Sequence, residues 1–532
     1  PHRDLDDLYP LSPLQQGLLF HAVHFGAADP YFYQRIFRLR GRVDPDRFTA
    51  AWNAVTRGHE ALRSLFRWDD AGQLLQWVMQ SCESVVPVDD WRDASPAEQQ
   101  LRLAEQLATE RQQGFEGHSG RTVLRLIRTA DRDWWLVWSQ HHIALDGWST
   151  GVVLRDLLRA YRAQSSGSGT LTPVGTYSHR DYLHWLAERN EGEALGYWRD
   201  VLAGFDTPTP LPLARRMSDE SDAVGYEEHT LRLDEDEMVR VRAAVRRYGI
   251  TPSTLLQAAY ALLLGRHADT ADVVFGMTVS GRSAPVPGIE DRVGLFINTV
   301  PVRVRLESAR SVASWLQQVQ QESSQRQEFE FAPLPAIQRA SELGDGRGLF
   351  DAILVFENYP LDHALRDDSG DFRIELADLP GAGVTRGRNN YALSLIAHLD
   401  TALTVTFSGE RRRFGTGAMA MLCRQFRYLL AALSADAVPA VGGIALHGET
   451  LMAGCDGDAA VPRFPDLLAA WSHHLQHNAG AAAVQDEYRS LSRAQLDTVA
   501  SRLASELQQL GAGPESVVAV LLERSTELVA AL

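Results

Sequence analysis

The stretch RTVLRLIRTADRDWWLVWSQHHIALDGWSTGVVLRDLLRAYRA, from Arg121, constrains the fold more than any other part of the chain. Arg121 to Ile127 and Trp134 to His141 read as two strands around the polar turn ADRD. Val153, Leu157, Leu158 and Tyr161 then recur at helical spacing. A strand pair that runs through a short loop into an apolar-faced helix calls for a sheet with a helix packed on it, an α/β arrangement. The loop between them is HHIALDGWS, His141 to Ser149. Histidine is the side chain best suited to accept a proton near neutral pH. Gly147 lets backbone approach a substrate closely. Amides at the start of the following helix favour negative charge on a tetrahedral intermediate. These features read as an acyl-transfer site. Adjacent histidines on a strand point to opposite faces, so His141 and His142 do not share a metal ion, and one of them is expected to face a channel.

The α/β mixture continues on both sides. From Asp44, Phe48, Trp52 and Val55 mark one face of a helix. AQSSGSGTLTPVGT, from Ala163, reads as a flexible surface connection. Beyond it, Ser253 is the expected N-cap of the helix TLLQAAYALLLGRHA. DVVFGMTVS, TVPVRVRL, FDAILVFENY and LTVTFSG read as strands. Ser434 to Arg463 has little periodicity and much Ala, Gly and Pro, and reads as an interdomain linker. A short α/β unit follows. Its helix LDTVASRLASELQQLGAG is closed by Gly511 and Gly513. VVAVLL after it reads as a buried strand.

Several function classes are disfavoured. The formal net charge is −16, whereas nucleic-acid binders are usually basic. The cysteines, Cys82, Cys423 and Cys455, form no CxxC pair, which argues against a cysteine zinc site or a disulfide framework and fits a reducing cytoplasm. No apolar run reaches the ~20 residues of a membrane span, and PHRDLDDLYP lacks the apolar stretch of a signal peptide. The sequence contains no lysine, which removes Schiff-base chemistry and the lysine of a P-loop.

HHIALDGWS resembles the HHxxxDGWS signature of nonribosomal peptide synthetase condensation domains. Other motifs resemble those of the family in the same order. They are YPLSPLQQGLLFH (Tyr9–His21), RGHEALRSLF (Arg57–Phe66), YSHRDYLHWL (Tyr177–Leu186), DRVGLFINTVPVR (Asp291–Arg303) and LFDAILVFENYP (Leu349–Pro360). The resemblance covers roughly the first 440 residues. It implies two chloramphenicol-acetyltransferase-like α/β lobes in a V-shaped pseudo-dimer, residues 1–175 and 176–435, then a linker, 436–463. The loop including GRSAPVPGIEDR and the stretch after Tyr359 would bridge the lobes. Residues 464–532 resemble the start of an adenylation domain. LSRAQL matches that family's LTYxEL motif imperfectly, with Arg493 in place of tyrosine, and the family's phosphate loop and catalytic lysine do not occur in the fragment. It is therefore not expected to activate amino acids.

The implied reaction is amide formation between an acyl thioester on an upstream donor carrier protein and the α-amine on a downstream acceptor carrier protein. Phosphopantetheine arms of the carriers deliver both substrates, and the adjacent adenylation domain is a further partner. No cofactor of the domain's own, no metal, no nucleic acid and no membrane is implied. His142 matches the catalytic position, as proton acceptor or positioner, with Gly147 supporting the oxyanion. His141 is expected to be packed and hydrogen-bonded. The resemblance makes Asp146 a structural ion-pair partner, with Arg282 as first candidate and Arg63 as second. Ser149 is weighed between an oxyanion role and a first-turn hydroxyl, Trp148 reads mainly as packing, and Asn298 is a candidate for the tunnel wall. LSPLQQGLLFH resembles the subclass that takes a D-configured donor. An epimerisation domain shares HHxxxDG and the fold, but the opening motif, VGLFINT and the downstream adenylation start favour condensation. Heterocyclisation and recruitment domains fit less well, because the motif is intact. An ester-forming or stand-alone acyltransferase stays open at this stage.

Overall fold

The computed structural model describes residues 4–25, 29–68, 73–118, 122–165, 177–214, 225–343, 348–357, 371–377, 391–435, 440–446, 464, 466–486, 489–513, 516–522 and 525–532. Most of the proposed connection after Ala163, the stretch 358–370 and most of the expected linker lie outside them. The described chain divides into two compact units, Pro1–His447 and Gly448–Leu532.

The first unit holds two large sheets. In the five-stranded sheet, strand Asp133–His141 lies centrally, between Phe32–Gly41 and Val123–Ala130, with Val88–Asp90 beyond. The central position explains the sequence DWWLVWSQH, whose residues are buried from Trp134 onward. Leu136 and Trp138 pack in one cluster with Val153, Leu154, Leu157, Leu158 and Tyr161 of helix Gly147–Ser165. Trp135 and Val137 pack with Leu103 and Leu107 of helix Pro96–His118. The sheet is thus sandwiched between helices, and truncating a buried leucine such as Leu157 to alanine would cost ~2–5 kcal/mol. Helix Pro45–Gly58 is capped by Asp44, whose carboxylate accepts from the amides of Asp46 and Arg47, and Pro45 takes the first turn.

The fifth strand of this sheet comes from far along the chain. Phe372–Leu376 pairs antiparallel with Phe32–Gly41, with Phe372 opposite Gly41. A Cβ at Gly41 would lie 2.3 Å from the Asp371 carbonyl, so the close approach needs glycine there. The six-stranded sheet runs Asn298–Arg305, Asp272–Val279, Ala352–Glu357, Leu393–Leu399, Leu403–Glu410, Tyr226–Arg232. It packs on helices Pro252–Ala268 and Ala418–Ser434. The first of these is capped by Thr251, two residues before the expected Ser253. Pro252 decides this, because proline favours the first helical position and leaves the preceding residue as the cap.

Two expectations change toward the C-terminus. Residues 440–446, assigned to the linker, pack onto the first unit: Val441 and Ile444 are buried in its core, and Arg266 donates to the carbonyls of both. In the second unit, helix Arg493–Gln509 forms with a capping box at Ser492 and Gln495. VVAVLL, however, forms no strand. Val517 and Leu521 are 98% and 99% exposed, and no strand among the described residues pairs with it. An apolar run becomes a strand only where a neighbouring ladder accepts it.

Candidate active site

Strand Asp133–His141 delivers the two histidines to the end of the sheet, and helix Gly147–Ser165 begins five residues after His142. The imidazoles have separate surroundings. His141 is buried; its Nε2 lies 2.6 Å from Asp29, and its Nδ1 accepts from the Ile143 amide at 3.0 Å. Both nitrogens are spent on holding the loop, so its packed, hydrogen-bonded character matches the geometry. His142 is partly exposed. Its backbone amide donates to the Tyr31 carbonyl, and its ring lies 4.6 Å from the Tyr33 ring, centre to centre. Nδ1 is 3.2 Å from the Leu145 carbonyl oxygen. A carbonyl only accepts, so Nδ1 carries the hydrogen and the neutral ring has its lone pair on Nε2. Among the described residues Nε2 has no partner.

Burial pushes His142 down to about 4, helped by His141 and Arg35 and opposed by Asp146 and the Leu145 carbonyl. The ring is therefore neutral throughout the physiological range. Its accessible nitrogen is a ready acceptor, though a poor long-term store for a proton.

Asp146 is fully buried and completely committed. One carboxylate oxygen accepts from the Ser149 amide at 2.7 Å, capping the helix, and the other from the Phe296 amide at 3.1 Å. The guanidinium of Arg282 lies 3.3 Å away and is itself buried. Asp146 thus clamps the loop to a segment more than a hundred residues further on and does not orient His142. Gly281 makes the approach possible: at φ 66°, its Cβ would meet the Phe296 carbonyl at 1.9 Å. Arg282 also donates to the carbonyls of Ile289 and Arg292 and to the Ser149 hydroxyl. Arg63, the second candidate partner, is elsewhere. Its 3-10 turn, Glu60–Arg63, leads into the three-stranded sheet, and it pairs with Asp6 at 2.7 Å and with the Met79 carbonyl.

Three further expectations resolve into structural roles. The Ser149 hydroxyl donates to the Gly294 carbonyl at 2.8 Å and accepts from Arg282 and from the Gly294 amide. One donor and two lone pairs are used, leaving no hydrogen for an oxyanion. Trp148 donates to the Glu290 carbonyl at 2.8 Å and carries Arg282 over its ring, which matches packing. The Asn298 amide group donates to the carbonyls of Glu330 and Ala332 and accepts from the Thr299 amide, so its polar atoms tie a loop. Gly147 opens the helix. With the Ser149 amide on the Asp146 carboxylate and the Thr150 amide on its carbonyl, the amides of Gly147 and Trp148 have no acceptor among the described residues.

Several contributors were not singled out from the sequence: Asp29, Tyr33, Arg35, Gly294, Phe296 and His179. Gly294 and Phe296 lie within VGLFINT, a motif from which only Asn298 was drawn. His179 lies within YSHRDYLHWL; it is buried, packs 5.0 Å from Phe296, and neither ring nitrogen has a partner among the described residues. Burial pushes it too down to about 4. Its segment hangs on Glu60, whose carboxylate accepts from the Tyr9 hydroxyl, the Ser178 hydroxyl and the His179 amide.

A clamped loop thus presents one imidazole nitrogen and two helix-start amides without partners among the described residues, on a mixed α/β fold. The family model "Condensation domain" matches residues 6–449, and "AMP-binding enzyme" matches residues 471–532. The chain belongs to the condensation-domain family, the amide-forming acyltransferases of nonribosomal peptide synthetases, and continues into the start of an AMP-binding domain. Among the linear gramicidin synthase polypeptides of Brevibacillus parabrevis, one is 33% identical over 541 residues, covering 100% of this chain and 7% of that protein. The chain therefore spans a small part of its curated relatives. A four-domain holo nonribosomal peptide synthetase bound to AMP and glycine superposes with a TM-score of 0.68 at 15% identity, over 96% of this chain and 39% of that one. The first condensation domain of the calcium-dependent antibiotic synthetase, in complex with a substrate analogue, gives 0.65 at 19%, over 83% of this chain and all of that one. At these identities the superpositions establish the fold. No helix among the described residues is long and apolar enough to cross a membrane.

Proposed function

We propose that this chain joins a donor acyl thioester on an upstream carrier protein to the α-amine of an aminoacyl group on a downstream carrier, within a cytoplasmic synthetase. The carriers' phosphopantetheine arms deliver both substrates, and residues 1–175 and 176–435 act as the two lobes between which they meet. The observation that carries the reading is the open Nε2 of His142, with its lone pair fixed by the Nδ1–Leu145 contact. The amine donates one N–H to Nε2 and attacks the thioester carbon. A C–N bond forms, the C–S bond breaks, and the amine's proton passes by way of Nε2 to the departing thiolate. The imidazole orients the nucleophile and relays the proton without holding it for long. The amides of Gly147 and Trp148, without an acceptor among the described residues, support the oxygen that gains charge. Confining both arms supplies a large effective concentration. LSPLQQGLLFH favours a D-configured donor residue.

The test is a mass-spectrometric condensation assay, with donor carriers bearing a D- or L-terminated peptide and an aminoacyl acceptor carrier. We expect elongated product on the acceptor, faster from the D donor, and a loss of about a hundredfold or more in His142→Ala. Epimerised donor without transfer would replace this reading with epimerisation; no turnover of either donor would favour a recruitment role.

A further inference from the structure

The strand Phe32–Gly41 carries three arginines, and one differs from the other two in how its charge is met. Arg38 pairs with Asp133 at 3.1 Å and Arg40 with Glu375 at 2.9 Å. Both lie toward the end of the strand remote from His142. Arg35 lies nearer the site. It makes no hydrogen bond or ion pair among the described residues, although it is only partly exposed. Its guanidinium carbon lies 5.3 Å from the centre of the Tyr33 ring, and that ring is 4.6 Å from the His142 ring. Strand alternation places Tyr33 and Arg35 on one face, and pairing puts Gln140 and Trp138 opposite them on the same face. His142 continues that row two residues beyond Gln140. A cation with no acceptor among the described residues therefore stands over the ring that packs on the imidazole.

We propose that Arg35 is a positioning residue of the reaction centre, whose uncompensated guanidinium sets a positive field favouring an uncharged attacking amine and a negatively charged tetrahedral oxygen. This rests on the condensation reading above. The groups facing His142 are His141 beside it, Arg35 and Tyr33 on the adjacent strand, and Asp146 in the loop; Glu357 reaches Tyr33's surroundings from the second large sheet. Asp146 is already matched by Arg282. Arg35 is the cation among these groups without a carboxylate of its own. An ammonium arriving at Nε2 would be repelled by it and would shed its proton more readily. The oxygen that becomes negative as the C–N bond forms would be attracted to it. Neither effect requires Arg35 to touch the substrate.

The full chain is tested with both carriers over a range of about pH 5 to 9, as wild type, Arg35→Met and Arg35→Lys. Single-turnover condensation should fall roughly tenfold or more in Arg35→Met. The rise of rate with pH, set by deprotonation of the amine, should move up by roughly half a unit to one unit. Arg35→Lys should restore the limb and most of the rate. An unchanged rate and limb in Arg35→Met would overturn the proposal. So would equal losses in both variants with the limb unmoved, the mark of a packing role. An NMR titration of the His142 ring separates this from failure of the condensation reading itself. Even if wild type does not condense, the ring's titration midpoint should rise in Arg35→Met and return in Arg35→Lys; an unmoved midpoint would sink the proposal.

Discussion

Two loops meet at the site and are built on opposite rules. Loop 141–149 buries almost everything it carries and leaves one imidazole nitrogen open. Loop 280–296 spends its polar groups on holding the first loop: Arg282 on Asp146 and Ser149, Gly294 on both faces of the Ser149 hydroxyl, Phe296 N–H on Asp146, and the Glu290 carbonyl on Trp148. The proposed chemistry sits on one loop and the hydrogen bonds that hold it come from the other. Two residues of one motif, His142 and Asp146, therefore do different work. Their substitutions should fail in different ways.

The largest effect on stability is expected at the clamp. Asp146→Ala leaves the buried Arg282 guanidinium unpaired and removes a helix cap, which together cost ~4–6 kcal/mol. Denaturant unfolding should show a large fall in midpoint, with condensation lost because the loop no longer holds its shape. His142→Ala should lose condensation while its unfolding midpoint stays near wild type. If the two substitutions destabilised the protein equally, the division of labour between the loops would be wrong.

A second difference is sharpened by pH. His142 and His179 both have folded values pushed by burial to about 4, against roughly 6.5 unfolded. Between those values the unfolded chain binds more protons than the folded one, so stability rises with pH. The contribution is fully present above about pH 6.5 and is lost progressively as pH falls toward about 4. His179 packs among Tyr9, Tyr182 and Phe296 with no partner for either nitrogen among the described residues. His179→Phe should keep the ring packing and remove one of the two terms. Its stability should fall less than wild type between about pH 6.5 and 5, by on the order of 1 kcal/mol or more. Denaturant midpoints at three pH values decide this. Parallel slopes would mean that His179 finds a partner on folding.

How much of this was readable depends on the range of each signal. Strands Val123–Ala130 and Asp133–His141 and the helix after them were legible because alternation and helical period are local. Asp146–Arg282 spans 136 positions and was reached only through resemblance to a family. Asp29 beneath His141 and Arg35 beside His142 had no local signature: an isolated acid before a strand and an arginine among aromatics look like surface residues until pairing sets their neighbours. Arg63 was drawn toward the site by its motif, but the strand that follows it carries it to Asp6. VVAVLL failed in the opposite sense, since an apolar run records what a segment would bury and not whether a ladder is there to receive it.

The smallest effect on condensation tests the boundary between the loops. The Ser149 hydroxyl bridges them by engaging Gly294 twice and Arg282 once. Ser149→Ala leaves the Gly294 amide and carbonyl without that partner, at a cost of ~1–3 kcal/mol, while Arg282 keeps Asp146 and two carbonyls. Condensation should stay within a few-fold of wild type, with a modest fall in unfolding midpoint. The opposite pattern, an intact midpoint with activity down a hundredfold, would make the hydroxyl a donor to the oxyanion and move part of the chemistry into the clamp. The hydrogen-bond count argues against that: a hydroxyl has one hydrogen, and here it already points at the Gly294 carbonyl.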